Sequence, residues 1–452
     1  MTIFNGSRLT NETFKLDIER MRRGWYSDKY FENITAMLEG VAVVGDWPIP
    51  TYARDVSETL DDLRLGDIEV ELQLFTRRPG KTLVVGIDKA LTMLRYCTGF
   101  WSGDEYVERW QGLDVEAVHD GSVVEYDGNP RRIRPVMRVR GRYRDFALLE
   151  TPMLGILGRA SRIATNVYHT LRAARGKPVL FFPARFDVHE VQAADGYAYD
   201  IAVQRYAADM GERPGSFVST DAQGEWWGGH GGGTVAHAAI SCFLGDISSA
   251  MLAFARFIPA EVPRIALVDF ENDSVLDSLR TLKAMFDMYR KAVDQGDADE
   301  AAKYVLFGVR LDTAGSLRDV NVPPLGKAEL DLGVVPRLVF AVRESMDSAW
   351  KNWDLPAEWQ DRAREYCEAT KIVVTGGFDP VKIRRFELLG VPVDIYGVGS
   401  SLMSNDKNAA TNTDFTADVV RVKISGNWVD MAKVGRSRGE NPELEQVDLG
   451  QF

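Results

Sequence analysis

From about residue 150 onward, short apolar runs alternate with amphipathic helical stretches, and no other feature of the chain restricts the fold as much. The runs are PVLFF (178–182), RIALVDF (264–270), YVLFGVRLD (304–312), KIVVTGG (371–377) and VDIYGVGS (393–400). Between two of them lies SVLDSLRTLKAMFDMYRKAV (274–293), apolar at helical spacing. Strands separated by helices pair in parallel, and repeated units of this kind favour a closed or nearly closed β/α barrel. Residues 25–150 have a different texture, strand-rich with few long helices: DIEVELQLFTRR, KTLVVGIDKALTML and GSVVEYDGNPRRIRPVMRVRGRY, broken by turns such as Asp127-Gly128-Asn129-Pro130. The tail TDFTADVVRVKISGNWVDMAKVGRSRG returns to strand texture. The expectation is an α/β chain. An irregular or incomplete β/α barrel occupies residues 146–405, and a strand-rich α+β domain at 1–145 is rejoined by residues 406–452.

With 452 residues, 45% of them apolar, the chain can bury one large core or two to three ordinary ones. Its 54 basic and 66 acidic side chains give a net charge of −12, which argues against a general nucleic-acid or anionic-membrane binder and requires local basic pockets for any anionic substrate. Cys97, Cys242 and Cys367 show neither C-x-x-C spacing nor an even count, so neither a disulfide framework nor a structural zinc site is expected. The opening MTIFNGSRLTNETFK lacks an apolar stretch of signal-peptide length, and no window approaches the roughly 20 apolar residues of a membrane span. A cytoplasmic location is expected. RRIRPVMRVRGRYR puts seven arginines between 131 and 144, read as a solvated strand face paired with acids elsewhere rather than as a catalytic element.

In a β/α barrel the loops at the C-terminal strand ends build the active site, and those after the last two strands commonly hold a phosphate. Gly376 and Gly377 stand at such an end, with Asp379 as candidate N-cap and Pro380 as first residue of the helix PVKIRRFELLG. The next strand runs into Gly397-Val398-Gly399-Ser400-Ser401. One glycine turn is most simply a tight connection; two on neighbouring strands favour a phosphate cradle of backbone amides. In GVRLD, alternation along a strand puts Arg310 and Asp312 on one face, as a site pair or as a plain salt bridge. Asp269 ends the strand ALVDF, and His237 follows Gly231-Gly232-Gly233-Thr234 at the start of a helix. His237 is then a base, a phosphate acceptor or a phosphate ligand oriented by a carboxylate such as Asp269, or else a packed core histidine.

The ordered set SDKYF (27–31), FFPAR (181–185), GTVAH (233–237), ALVDF (266–270), GVRLD (308–312), TGGFD (375–379) and YGVGSS (396–401), with the tail TDFTADVVRV…MAKVGR, resembles the nicotinate phosphoribosyltransferase family. These are type II phosphoribosyltransferases related to nicotinamide phosphoribosyltransferase. The resemblance implies transfer of phosphoribosyl from phosphoribosyl pyrophosphate to nicotinate in NAD salvage, giving the mononucleotide and pyrophosphate. It implies coupling to ATP hydrolysis, hence ligase classification and a phosphoprotein intermediate. Tyr30, from the other subunit of a homodimer, and Phe182 would sandwich the pyridine, and Arg185 would meet its carboxylate. Arg310 and Asp312 would hold the ribose, and Gly376, Gly377, Gly397, Gly399 and Ser400 the 5′-phosphate, with Thr234 also in the substrate site. His237 would be the phosphorylated histidine and Asp269 its partner. Magnesium would be carried mainly by pyrophosphate, with no protein metal ligand assigned and no tightly bound organic cofactor. Nucleic acid and membranes are not expected partners. Phe186 follows Arg185 where many members have a second arginine, and Ser316 stands where a second acid is common. Asp221 falls near a position that contacts the amide in nicotinamide-using relatives, which keeps nicotinamide as the alternative substrate. A phosphometabolite-binding barrel without turnover, or a sugar-phosphate isomerase or aldolase, would share the glycines. Neither explains Tyr30, Phe182, Arg185 and His237 in this order.

Overall fold

The computed structural model describes residues 6–48, 60 and 63–452, which fall into two compact units. One comprises Met1–Tyr168, Tyr197–Arg205 and Ser404–Phe452; the other comprises His169–Gly196 and Tyr206–Met403. The boundary expected at 145/146 lies instead after Tyr168. Met153 and Leu157, on the long helix Glu150–Ala173, are buried in the first unit's core, so the start of that helix goes with the strands before it.

The first unit is built on an antiparallel sheet in the order Asn427–Asp430, Phe415–Ile424, Glu69–Thr76, Met137–Arg142, Asp114–Ala117, Glu445–Gln446. Leu72, Leu74, Val115 and Val139 alternate onto the face that packs against Leu91 and Leu94 of helix Ile87–Cys97. That helix replaces part of what the KTLVVGIDKALTML run suggests as strand. Asp120 accepts the Gly86 and Ile87 amides at 2.8 Å, so a capped helix begins just after the short strand Gly80–Leu83.

The opposite face explains the arginine run. Arg140 reaches Glu71, Asp114 and Glu116; Arg142 reaches Asp67 and Asp145; Arg144 reaches Asp67; Arg138 reaches Glu116 and Glu440. Glu71 is fully buried among three guanidiniums: Arg140 at 2.6 Å, Arg438 at 2.8 Å, and Arg421. Burial alone would raise its carboxyl, but the bonds from Arg421 and Arg140 overcome this and hold it at about 2.

The second unit carries a parallel sheet of five strands, Val179–Phe181 (β1), Ile265–Leu267 (β2), Gly308–Leu311 (β3), Lys371–Val374 (β4) and Ile395–Val398 (β5), in the order β1-β5-β4-β3-β2. Isolated parallel bridges continue it from Phe181 to Val218 and from Val218 to Gly231. Neighbours therefore follow chain order cyclically, the last strand lying beside the first, as a ring requires. Leu180 and Ile265, from opposite ends of the sheet, share one apolar cluster with Val373, so the sheet curls strongly. Among the described residues no pairing joins Gly231 to β2, and the β/α barrel is incomplete. Helices Ser274–Asp294, Pro336–Ser348, Ala357–Ala369 and Pro380–Leu388 fill the connections. No helix among the described residues is long and apolar enough to cross a membrane.

Because the folded carboxyl of Glu71 lies below its ordinary range, its contribution is complete above about pH 4.5 and is lost as the pH falls toward about 2. Urea unfolding should find Glu71→Gln less stable than the parent at pH 7 by roughly 2–3 kcal/mol. At pH 3 this gap should shrink by about 2 kcal/mol.

Candidate active site

The strand ends of the second unit surround a cavity of about 410 Å³. β3 supplies Arg310 and Asp312 to its lining, while Val309 and Leu311 are fully buried in the packing layers. Thr375, which follows β4, donates its hydroxyl to Asp312 Oδ1 at 2.7 Å and fixes that carboxylate. The Arg310 guanidinium donates to the Val235 carbonyl at 3.4 Å, and its Nε is buried with no hydrogen-bond partner. Burial works against its charge; Asp312 and Asp269 work for it.

His237 opens the short helix His237–Cys242 and lines the same cavity. Its Nε2 lies 3.0 Å from Asp269 Oδ1, and its ring is tilted against Phe270, with centroids 6.4 Å apart. Asp269 is nearly buried, and burial raises its carboxyl; His237 opposes the shift, and the nearby Asp312 adds to it. The loop bearing Asp269 is tied to the loop after β3. Val320 N donates to Asn272 O, Asn272 Nδ2 to Arg318 O, and buried Asp319 accepts the Ser274 amide and hydroxyl at 3.0 and 2.7 Å. The loops that bear Asp269 and Asp312 are thereby hydrogen-bonded to each other.

Phe182 and Arg185 line the opposite wall, beyond the end of β1. The Phe182 ring meets Phe217 edge-on at 5.9 Å, and the Arg185 guanidinium lies 5.4 Å from the centre of the Phe186 ring. Gly376 and Gly377, both left-handed with φ of 84° and 67°, make the turn after β4. Asp379 then caps helix Pro380–Leu388 through the Lys382 amide at 2.7 Å. Gly397 and Gly399 line the cavity, but part of the reason for their bareness is steric. A side-chain carbon on Gly397 would meet Thr375 and come within 2.8 Å of Phe182, and one on Gly399 would come within 2.7 Å of Phe186. Ser400 completes this side.

Two expectations change. Thr234 is not among the lining residues, and two of the amides before it are already used: Gly231 N donates to Asp221 Oδ1 and Gly232 N to Val218 O. Asp221 is exposed and serves that bond, outside the cavity lining. Tyr30, expected to reach across from another subunit, is 55% exposed on helix Lys29–Val44 of the first unit.

Residues 56–161 match the family described as quinolinate phosphoribosyl transferase, N-terminal domain. The chain is 29% identical over 231 residues, 49% of its length, to nicotinate phosphoribosyltransferase pncB2 of Mycobacterium tuberculosis, and 26% identical over 278 residues, 62% of its length, to pncB1 of the same organism. These stretches are 45% and 48% of the relatives, so the chain spans about half the length of the curated proteins it matches. In fold it is similar to a nicotinate-nucleotide pyrophosphorylase from Pyrococcus furiosus, with a TM-score of 0.62 at 24% identity, covering 96% of this chain and 85% of that one. It is also similar to human nicotinic acid phosphoribosyltransferase, with a TM-score of 0.53 at 16% identity, covering 88% and 74%.

In sequence the chain is similar to proteins named nicotinate phosphoribosyltransferase.

The motif reading missed Thr375, Ser219 and Phe378, which also line the cavity. Thr375 was recoverable, since a hydroxyl one residue beyond an apolar strand, beside an acid ending the neighbouring strand, is a natural partner for it. Nothing in sequence marks Ser219, whose place follows from the isolated bridge at Val218.

The two kinds of glycine should respond differently to alanine. Gly397→Ala forces Phe182 and Thr375 apart and should destabilise by about 1–3 kcal/mol, with loss of the cavity's shape. Gly377→Ala meets nothing within 4 Å and should cost only the left-handed penalty, roughly 1–2 kcal/mol. Denaturant unfolding of the two variants checks the ranking.

Proposed function

We propose that this chain is a cytoplasmic nicotinate phosphoribosyltransferase acting in NAD salvage. It takes phosphoribosyl pyrophosphate and nicotinate to nicotinate mononucleotide and pyrophosphate, with ATP hydrolysed alongside. The observation that carries this reading is the convergence on one cavity of an aromatic ring and guanidinium (Phe182, Arg185), a carboxylate fixed beside a glycine turn (Asp312, Gly376, Gly377), and a His–Asp pair (His237, Asp269).

The pyridine lies on Phe182 with its carboxylate toward Arg185, and Tyr30 of the partner subunit covers its other face in a homodimer. The exposed Tyr30 ring is available for that role. The glycine turns and Ser400 hold the 5′-phosphate, and Arg310 and Asp312 the ribose. The bond from C1 to the pyrophosphate oxygen breaks with its electrons leaving on oxygen, and the pyridine nitrogen lone pair forms the new bond at C1. Asp312, held by Thr375, stabilises positive charge on the ring as this happens. Magnesium, when bound, neutralises the departing pyrophosphate. With Nε2–H facing Asp269, His237 keeps its lone pair on Nδ1. That nitrogen attacks the γ-phosphorus of ATP and ADP departs. Hydrolysis of the phosphohistidine then drives synthesis.

Incubation with phosphoribosyl pyrophosphate, Mg²⁺ and either nicotinate or nicotinamide should accumulate nicotinate mononucleotide and release pyrophosphate. Accumulation of the nicotinamide product alone, or of neither, overturns the reading. Asp312→Asn should lower kcat by roughly 10²–10³-fold with folding intact. His237→Ala should remove stimulation by ATP while leaving ATP-independent synthesis measurable; unchanged stimulation rules out the phosphohistidine.

A further inference from the structure

The residues given to the 5′-phosphate, Gly376, Gly377, Gly397, Gly399 and Ser400, carry no charge. A phosphate dianion taken from water into a cavity needs a cation as well as amides. The two lining arginines are each engaged by other groups, although Arg310 Nε has no hydrogen-bond partner. Arg310 lies against the Val235 carbonyl and is drawn by Asp312 and Asp269, and Arg185 lies over Phe186.

One ammonium abuts the turn itself. Lys382, on the first helical turn after Pro380, reaches back so that Nζ donates to the Gly376 carbonyl at 3.2 Å. Its Nζ sits 4.1 Å from the centre of the Phe378 ring, and both Gly376 and Phe378 line the cavity. The side chain is half-buried by its packing on Phe378 and, more distantly at 6.0 Å, on Phe386. A carbonyl is a weak partner for an ammonium, and a lysine stem is flexible enough to exchange it for a stronger acceptor within reach. Asp379, on the same turn, is the charged group acting on this ammonium, but its Oδ1 accepts the Lys382 amide instead. Asp312, just past β3, abuts Gly376, where a side-chain carbon would come within 3.4 Å of its Oδ1.

We propose that Lys382 is the cation of the sugar-phosphate seat: its ammonium leaves the Gly376 carbonyl for the 5′-phosphate of the substrate, closing the Gly376–Gly377 turn around it. This rests on the phosphoribosyl transfer proposed above. Burial, partly opposed by Asp379, lowers the Lys382 ammonium to about 8 in the free protein. Its charge is present below that pH and lost above it, so phosphate affinity falls as pH rises through this range.

Calorimetric titration of the full chain with ribose 5-phosphate, with ribose as the uncharged control, tests this directly. Lys382→Met should weaken ribose 5-phosphate binding by roughly 10- to 100-fold and flatten its pH dependence between 7 and 9.5. Lys382→Arg should restore binding to within a few-fold of the parent and also be flat over that range, because a guanidinium does not titrate there. Circular dichroism confirms that both variants are folded. If the parent binds ribose 5-phosphate and Lys382→Met binds it equally well with the same pH slope, the role of Lys382 is overturned while the transferase reading stands. If the parent binds no ribose 5-phosphate at all, both fall.

Discussion

The site depends on the pairing of the last barrel strand with the first. Tyr396, Gly397 and Val398 register against Val179, Leu180 and Phe181, and Phe182 N continues the ladder by donating to the Val398 carbonyl at 2.9 Å. This carries the aromatic wall, some 200 residues earlier in the chain, to the glycines of the closing strand. The pairing tolerates no side chain at 397 or 399, because the rings of Phe182 and Phe186 occupy that space. Bare backbone here has two uses at once, a floor for the cavity and a seat for two rings. Losing either would displace Arg185, which is held only three residues beyond Phe182.

The cavity's electrostatics follow from how its acids are satisfied. Asp312 accepts from Thr375, Asp269 faces His237, and half-buried Arg310 lies under the influence of both carboxylates. Both signs of charge are therefore fixed in place before any ligand arrives, which is how a site stabilises a developing charge without reorganising. The ties through Asn272, Asp319 and Ser274 extend that fixity to the loops, and Asp319 occupies a chain position that no motif marked.

Much of this was legible in the sequence, for identifiable reasons. The apolar runs ending in Asp269, Asp312 and Thr375 are buried strands, and burial on both faces leaves a continuous apolar signature that survives without any alignment. Alternation put Arg310 and Asp312 on one side of β3. What escaped was contextual. Glycine in sequence does not say whether its amide is free: the Gly231 amide is taken by Asp221, while the Gly376–Gly377 turn borders the cavity. The helix at Ile87–Cys97 was obscured because its cap, Asp120, comes more than thirty residues later. The isolated bridges at 218 and 231 are single residue pairs, too short for any periodicity to reveal.

The densest basic stretch in the chain is not where its anion chemistry lies. Arg138, Arg140, Arg142 and Arg144 each face acids of the same unit, and Glu71 alone engages three guanidiniums. Such a network is close to neutral from a distance. With a net charge of −12, the chain as a whole repels a polyphosphate. Affinity for an anionic sugar must then arise at contact range, from amides at a glycine turn and a small number of cations desolvated beside it. Interactions of that kind are strong where water is excluded and fade within a Debye length of about 8–10 Å. If the cavity takes a sugar phosphate as proposed, discrimination rests on the fit of the phosphate into the turn after β4, not on long-range attraction to the protein surface.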